Sequence, residues 1–179
     1  MKEQVKNKAN AFRGVNELAM KGEIVVYGST YMANFPFYEL INKSRLENAV
    51  YNRSIAEMTI DEALQLLQVC VLDIKPGKVF IHLGEADFDR PDAVEKYTEI
   101  VRRIHAELPD TKVYLITVQD KKAQKFNERI LELSNRKNIC GIRFSVSDSY
   151  DYKGRFKELS CYFRSKPLTF TDAFAVAGL

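Results

Sequence analysis

The sequence predicts a three-layer α/β/α sandwich around a parallel sheet. Short apolar runs at 23–27, 78–83, 113–118 and 139–146 alternate with amphipathic stretches of helical period. These runs are almost uniformly apolar, as strands covered on both faces should be. The stretches between them are long enough for the crossover helices that join parallel neighbours.

Residues 4–20 read as a helix, with Val5, Ala9, Phe12, Val15 and Leu18 near a helical period, leading into a first strand at 23–27. Pro36 to Ile41 is expected as a short helix opened by proline, and 47–51 as a short strand. Thr59 or Asp61 is placed to cap a helix reaching Ile74, with Leu64, Leu67, Val71 and Ile74 on one face, before Pro76-Gly77 ends it. Lys78 to Leu83 is the second strand. Asp89 then caps a long helix with Pro91 in its first turn, whose stripe is Val94, Tyr97, Ile100, Val101, Ile104 and Leu108. Val113–Val118 is a strand, 122–136 a helix and Ile139–Val146 a strand. Residues 147–168, rich in Tyr and Phe, read as irregular, and a short helix follows near 170–178.

Composition sets outer bounds. A chain of 179 residues is expected to form one domain, 1–179, with a core that needs no metal or disulfide. The net charge of +3, from 27 basic and 24 acidic side chains, argues against a nucleic-acid partner. No apolar stretch is long enough to span a membrane, and residues 1–10 lack the apolar core of a signal peptide. The three cysteines, Cys70, Cys140 and Cys161, form no CxxC pair, so reduced thiols in a cytoplasm are expected, with no metal site and no cofactor.

The segment with the most chemistry is Ile24-Val25-Val26-Tyr27-Gly28-Ser29-Thr30, a buried strand that runs into a tight turn bearing two hydroxyls. Such a turn presents a nucleophile-type side chain at the carboxyl edge of a sheet, where ligands of open α/β sheets gather. Residues 18–30 resemble the first sequence block of the SGNH hydrolases, the GDSL-type lipases and acylhydrolases. Asn52-Arg53-Ser54-Ile55-Ala56-Glu57-Met58-Thr59 resembles the second block and Lys75 to Asp87 the third, which ends in Gly-x-Asn-Asp. Pro167-Leu168-Thr169 falls where that family has its Asp-x-x-His. Four blocks in order imply the SGNH fold, with a flavodoxin-like parallel sheet, over nearly the whole chain.

The resemblance implies ester hydrolysis by a serine nucleophile, a histidine base oriented by an aspartate, and an oxyanion hole. Each of those positions is altered. Thr30 stands at the nucleophile position, with Ser29 replacing the usual aspartate; Glu57 stands for the oxyanion glycine and Ala86 for the asparagine. The aspartate and histidine positions fall on Arg164 and Pro167. Only two histidines exist, and neither reads as a triad member: His82 lies inside a strand run and His105 within the long helix. A hydroxyl without an adjacent base is a poor nucleophile. Losing one oxyanion donor typically costs on the order of 10²–10³ in rate. The expectation is a hydrolase fold without standard triad catalysis.

Ser29, Thr30, Glu57, Gly84, Glu85 and Asp87 are expected to converge on one cleft that suits a small ester or carbohydrate ligand. Glu57 is expected to project its carboxylate into that cleft, where burial would disfavour the charged form. For Asp87 the simpler role is to tether a neighbouring loop, and for Glu85 to face solvent. Lys166 is an alternative base beside the lost histidine. The late aromatic residues, Tyr150 to Phe174, serve either as core or as a surface for a partner. A weak esterase using Thr30 or Ser29 is the competing reading. A nucleotide binder is a third, which the missing Gly-rich phosphate loop disfavours. Homo-oligomerisation is compatible with all of them.

Overall fold

The computed structural model of the protein describes residues 1–44, 46–145 and 151–164. Five strands, β1 (Ile24–Gly28), β2 (Val50–Asn52), β3 (Lys78–His82), β4 (Lys112–Ile116) and β5 (Ile139–Ile142), form one sheet in the order β2-β1-β3-β4-β5. Every pairing is parallel, and Gly28 at the end of β1 lies in register with His82 at the end of β3. The direction of strand addition reverses between β1 and β3. The crevice of such a sheet therefore opens at the carboxyl ends of these two strands.

Alternate strand residues feed two separate cores, because side chains along a strand point to opposite faces. Val25, Tyr27, Val79, Ile81, Val113 and Leu115 pack under α1 (Glu3–Val15), α4 (Ile60–Cys70), α5 (Ala93–Glu107) and α6 (Gln124–Leu131). Ile24, Val26, Phe80, Tyr114 and Ile116 pack under α2 (Thr30–Ala33), α3 (Phe37–Ser44) and α7 (Tyr152–Phe163). The expected three-layer architecture is the observed one.

Several boundaries differ from the sequence reading. Helix α1 stops at Val15, and residues 16–18 tighten into a 3₁₀ turn. Thr59, rather than Asp61, caps α4: its side chain accepts from Glu62 N–H while Glu62 accepts from Thr59 N–H. Asp61 instead pairs with Arg90 and Lys96. That helix ends at Cys70, and a 3₁₀ turn over 72–74 leads to Lys75 in the left-handed region, φ 51°. The long helix α5 begins at Ala93 after Asp92, not at Asp89, because the chain first folds back on Gly84, whose carbonyl accepts from Asp87 and Phe88 N–H.

The largest correction is α7, twelve helical residues within the segment expected to be irregular. Gly154 and Ser160 weaken its intrinsic propensity. Phe156, Leu159 and Phe163 nonetheless recur at three and four residues and are buried against the sheet, and that tertiary burial decides the matter. The expected helix near 170–178 lies outside the described residues. Among the described residues no helix is long and apolar enough to cross a membrane.

Candidate functional site

Three loops meet at the carboxyl edge of the sheet: 28–30 after β1, 53–59 after β2, and 83–92 after β3. The first is tight because of Gly28. A Cβ there would lie 2.8 Å from the His82 carbonyl oxygen and 2.9 Å from Met32 Cβ, so only glycine lets α2 start at once beside β3. Gly84 begins the third loop at φ +108°, with a hypothetical Cβ 2.7 Å from the Phe126 ring.

Ser29 and Thr30 have opposite surroundings. Ser29 is fully buried, and its N–H donates to the His82 carbonyl at 3.1 Å. Its Oγ has no hydrogen-bond partner among the described residues. Thr30 is half-buried, and its Oγ1 accepts from Glu57 N–H at 2.9 Å. The Glu57 backbone amide therefore addresses the Thr30 hydroxyl directly.

The Glu57 carboxylate goes elsewhere, contrary to the expectation that it would fill the cleft. Glu57 has φ 60°, a left-handed conformation that glycine adopts freely and a side chain resists. With the N–H turned toward Thr30, the carboxylate is 63% exposed, 3.6 Å from Lys2 Nζ, and accepts from Gln4 Nε2 at 3.0 Å. The cleft is not acidified by this residue.

Glu85, by contrast and against expectation, does not face bulk water. Its side chain is 24% exposed, and both oxygens accept from Tyr31 N–H, at 3.2 and 3.1 Å, which fixes the first turn of α2. Ala86 is exposed, and its methyl offers no hydrogen-bond donor. Asp87 is buried and acts as a tether: its Oδ2 accepts from Ile60 N–H, in the first turn of α4, at 3.0 Å. Burial pushes the Asp87 carboxyl above its ordinary range, although the Ile60 hydrogen bond and Arg90 act in the other direction.

Neither imidazole serves the hydroxyls. His82 is fully buried, with its ring centroid 5.6 Å from that of Tyr31 and 6.4 Å from that of Phe144. Neither of its nitrogens has a hydrogen-bond partner among the described residues, and Nδ1 lies 3.6 Å from Glu85 Oε2. His105 sits in the last turn of α5, half-buried, and its Nε2 has no hydrogen-bond partner among the described residues.

Arg164 is not at this edge. Lys78 Nζ, at the amino-terminal end of β3, donates to the Tyr162, Phe163 and Arg164 carbonyls at 2.8, 3.0 and 2.7 Å. Helix α7 starts beside Tyr31 and runs back along the sheet, and twelve residues at about 1.5 Å each carry Arg164 to the opposite end. Reading 147–168 as irregular hid this. Lys166 and Pro167 lie outside the described residues.

The start of α7 brings to this edge Tyr152, one of the late aromatic residues, and Arg155, which the sequence reading missed. The Tyr152 ring is 5.5 Å from Tyr31, and Arg155 lies 4.9 Å over Phe144 while donating to the Ser145 carbonyl and Oγ at 2.7 Å. Burial raises the Tyr31 phenol above its ordinary range, against a lowering hydrogen bond with Gln119 and the nearby Arg155 charge. The available signal was Asp151 as a helix cap, three residues before Gly154, whose N–H it accepts. Along the same edge, beyond Phe144, lies a hollow of about 300 Å³ lined by Thr117, Lys121, Asn127 and Arg143 among others. Among the described residues no three His, Cys, Asp or Glu side chains cluster as metal ligands.

Comparison of this architecture with solved structures decides its type. A Streptococcus pneumonia protein described provisionally as a platelet activating factor superposes with a TM-score of 0.79 at 17% identity, over 90% of this chain and 94% of that one. The fold is that of the SGNH hydrolases. A Bacteroides fragilis protein described provisionally as an acylhydrolase matches with a TM-score of 0.68 at 14% identity, over 84% and 83% of the two chains. A GDSL-like lipase from Bacteroides thetaiotaomicron matches with a TM-score of 0.64 at 15% identity, over 75% and 77%. No protein-family profile and no curated protein matches the chain in sequence. The likeness is thus one of fold, with Thr30 here following the carboxyl end of β1 and Glu57 N–H facing it.

Proposed function

We propose that this chain is an SGNH-fold domain that does not carry out triad ester hydrolysis and acts by binding a small ester or carbohydrate at the carboxyl edge of its sheet. The observation that carries this reading is the state of the Thr30 hydroxyl. It accepts a hydrogen bond from Glu57 N–H, and no imidazole among the described residues is bonded to it or to Ser29. A hydroxyl so placed lacks the base that would take its proton, so it remains a poor nucleophile. With its oxygen held by that N–H, the Thr30 hydroxyl keeps its own proton to donate to a ligand carbonyl or hydroxyl. The half-buried Tyr152 ring and the hollow beyond Phe144 are the apolar and polar surfaces that such a ligand would meet at this edge. Free cysteines at positions 70, 140 and 161 agree with residence in a reducing compartment.

A residual esterase is the second reading, and the geometry favours Thr30 over Ser29 as its nucleophile, since Ser29 is fully buried. Hydrolysis of p-nitrophenyl acetate separates the two. Turnover by the wild-type protein should not exceed that of the Ser29→Ala, Thr30→Ala double variant. Clear turnover that the double variant abolishes would restore the enzyme and sink the binding reading.

A further inference from the structure

We infer that Lys2 and Gln4, at the amino-terminal end of α1, are positioning residues for the cleft. They hold Glu57 in its left-handed conformation, so that its N–H points at Thr30 Oγ1. The inference rests on the reading of the Thr30–Glu57 pair as the polar centre of the site.

A side chain at φ 60° is strained and persists only where its surroundings over-determine it. At Glu57 the constraint comes from α1. Lys2 Nζ donates to the Glu57 carbonyl at 2.8 Å and lies 3.6 Å from its carboxylate, while Gln4 Nε2 donates to that carboxylate at 3.0 Å. Contacts of this exposed kind are weak one at a time, but three of them converge here on one residue. Lys2 is itself anchored, since its backbone N–H donates to Glu62 Oε1 at 2.7 Å. The other oxygen of Glu62 accepts from Thr59 N–H at 3.1 Å, so one buried carboxylate joins the start of α1 to the cap of α4. Burial pushes Glu62 up, but the bonds from Lys2 and Thr59 and the Lys2 charge outweigh it and hold the carboxyl below its ordinary range. Residues 57–59 are therefore gripped at the Glu57 carbonyl, the Glu57 carboxylate and the Thr59 amide, and the remaining polar group of Glu57, its N–H, is left facing Thr30.

Amide hydrogen exchange tests the inference without any ligand or ester, so its outcome is independent of the esterase assay. In Lys2→Ala, Gln4→Ala protein the Glu57 amide should exchange about ten-fold faster than in wild type, with the β3 amides unchanged. Lys2→Arg, which keeps a donor and a charge, should retain wild-type exchange. Gln4→Ala alone should give a smaller acceleration at the same amide. Unchanged exchange at Glu57 in the double variant would overturn the inference. An equal acceleration throughout β3 would also overturn it, because the contacts would then support the whole fold rather than position one amide.

Discussion

Asp87 offers the sharpest test of how the third loop is held. Its carboxylate is buried, and Oδ2 accepts the Ile60 N–H, one of the amides that a helix start leaves without an intrahelical partner. Replacing Asp87 with alanine strands that buried N–H, a loss of about 1–3 kcal/mol. For a protein of this size that corresponds to a fall in Tm of about 2–12 °C. Asparagine keeps an acceptor oxygen and removes the buried charge, so Asp87→Asn should lie within about 1 kcal/mol of wild type at neutral pH. Both variants should also differ from the wild type in pH dependence, since neither keeps the carboxyl. Burial raises the Asp87 carboxyl in the folded state, so the folded protein keeps the proton at a pH where the unfolded chain has released it. The stabilisation from this group is full below the unfolded aspartate value and fades as pH rises through the folded one. Asparagine carries no such proton, so the stability of Asp87→Asn relative to wild type should climb from acid toward neutral pH. Urea denaturation at several pH values measures both effects. Equal losses in the alanine and asparagine variants, with no pH trend, would refute the tether.

Two further predictions follow from the same geometry. Glu57→Gly should change stability by no more than about 1 kcal/mol, because relief of the left-handed strain is offset by the greater chain entropy of glycine and the loss of exposed contacts; urea titration measures it, and a robust gain of p-nitrophenyl acetate hydrolysis would contradict the proposal that a missing base prevents hydrolysis. Burial pushes the Cys70 thiol up to about 12, so a thiol reagent should label the half-buried Cys140 and Cys161 in the native protein and reach Cys70 only on unfolding; prompt labelling of Cys70 would show that its core is open.

The sheet, its parallel sense and the carboxyl-edge location of Gly28-Ser29-Thr30 were legible in the chain, because uniform apolar runs and helical stripes are local patterns. The placement of the two histidines was legible too: His82 lies in a strand and His105 in a helix, and neither is bonded to Ser29 or Thr30 among the described residues. What escaped the sequence was direction. Whether Glu57 turns its carboxylate or its amide to Thr30 depends on one left-handed φ, and that in turn on Lys2 and Gln4, more than fifty residues away. Arg164 was misplaced for a related reason. The burial of Phe156, Leu159 and Phe163 against the sheet makes α7 a helix despite its weak propensity, and the helix carries Arg164 away from the cleft to Lys78. Periodicity and composition act within a few residues and fix the elements themselves. The aim of a side chain at the site is set by contacts between segments distant in the chain, and only the folded molecule brings those together.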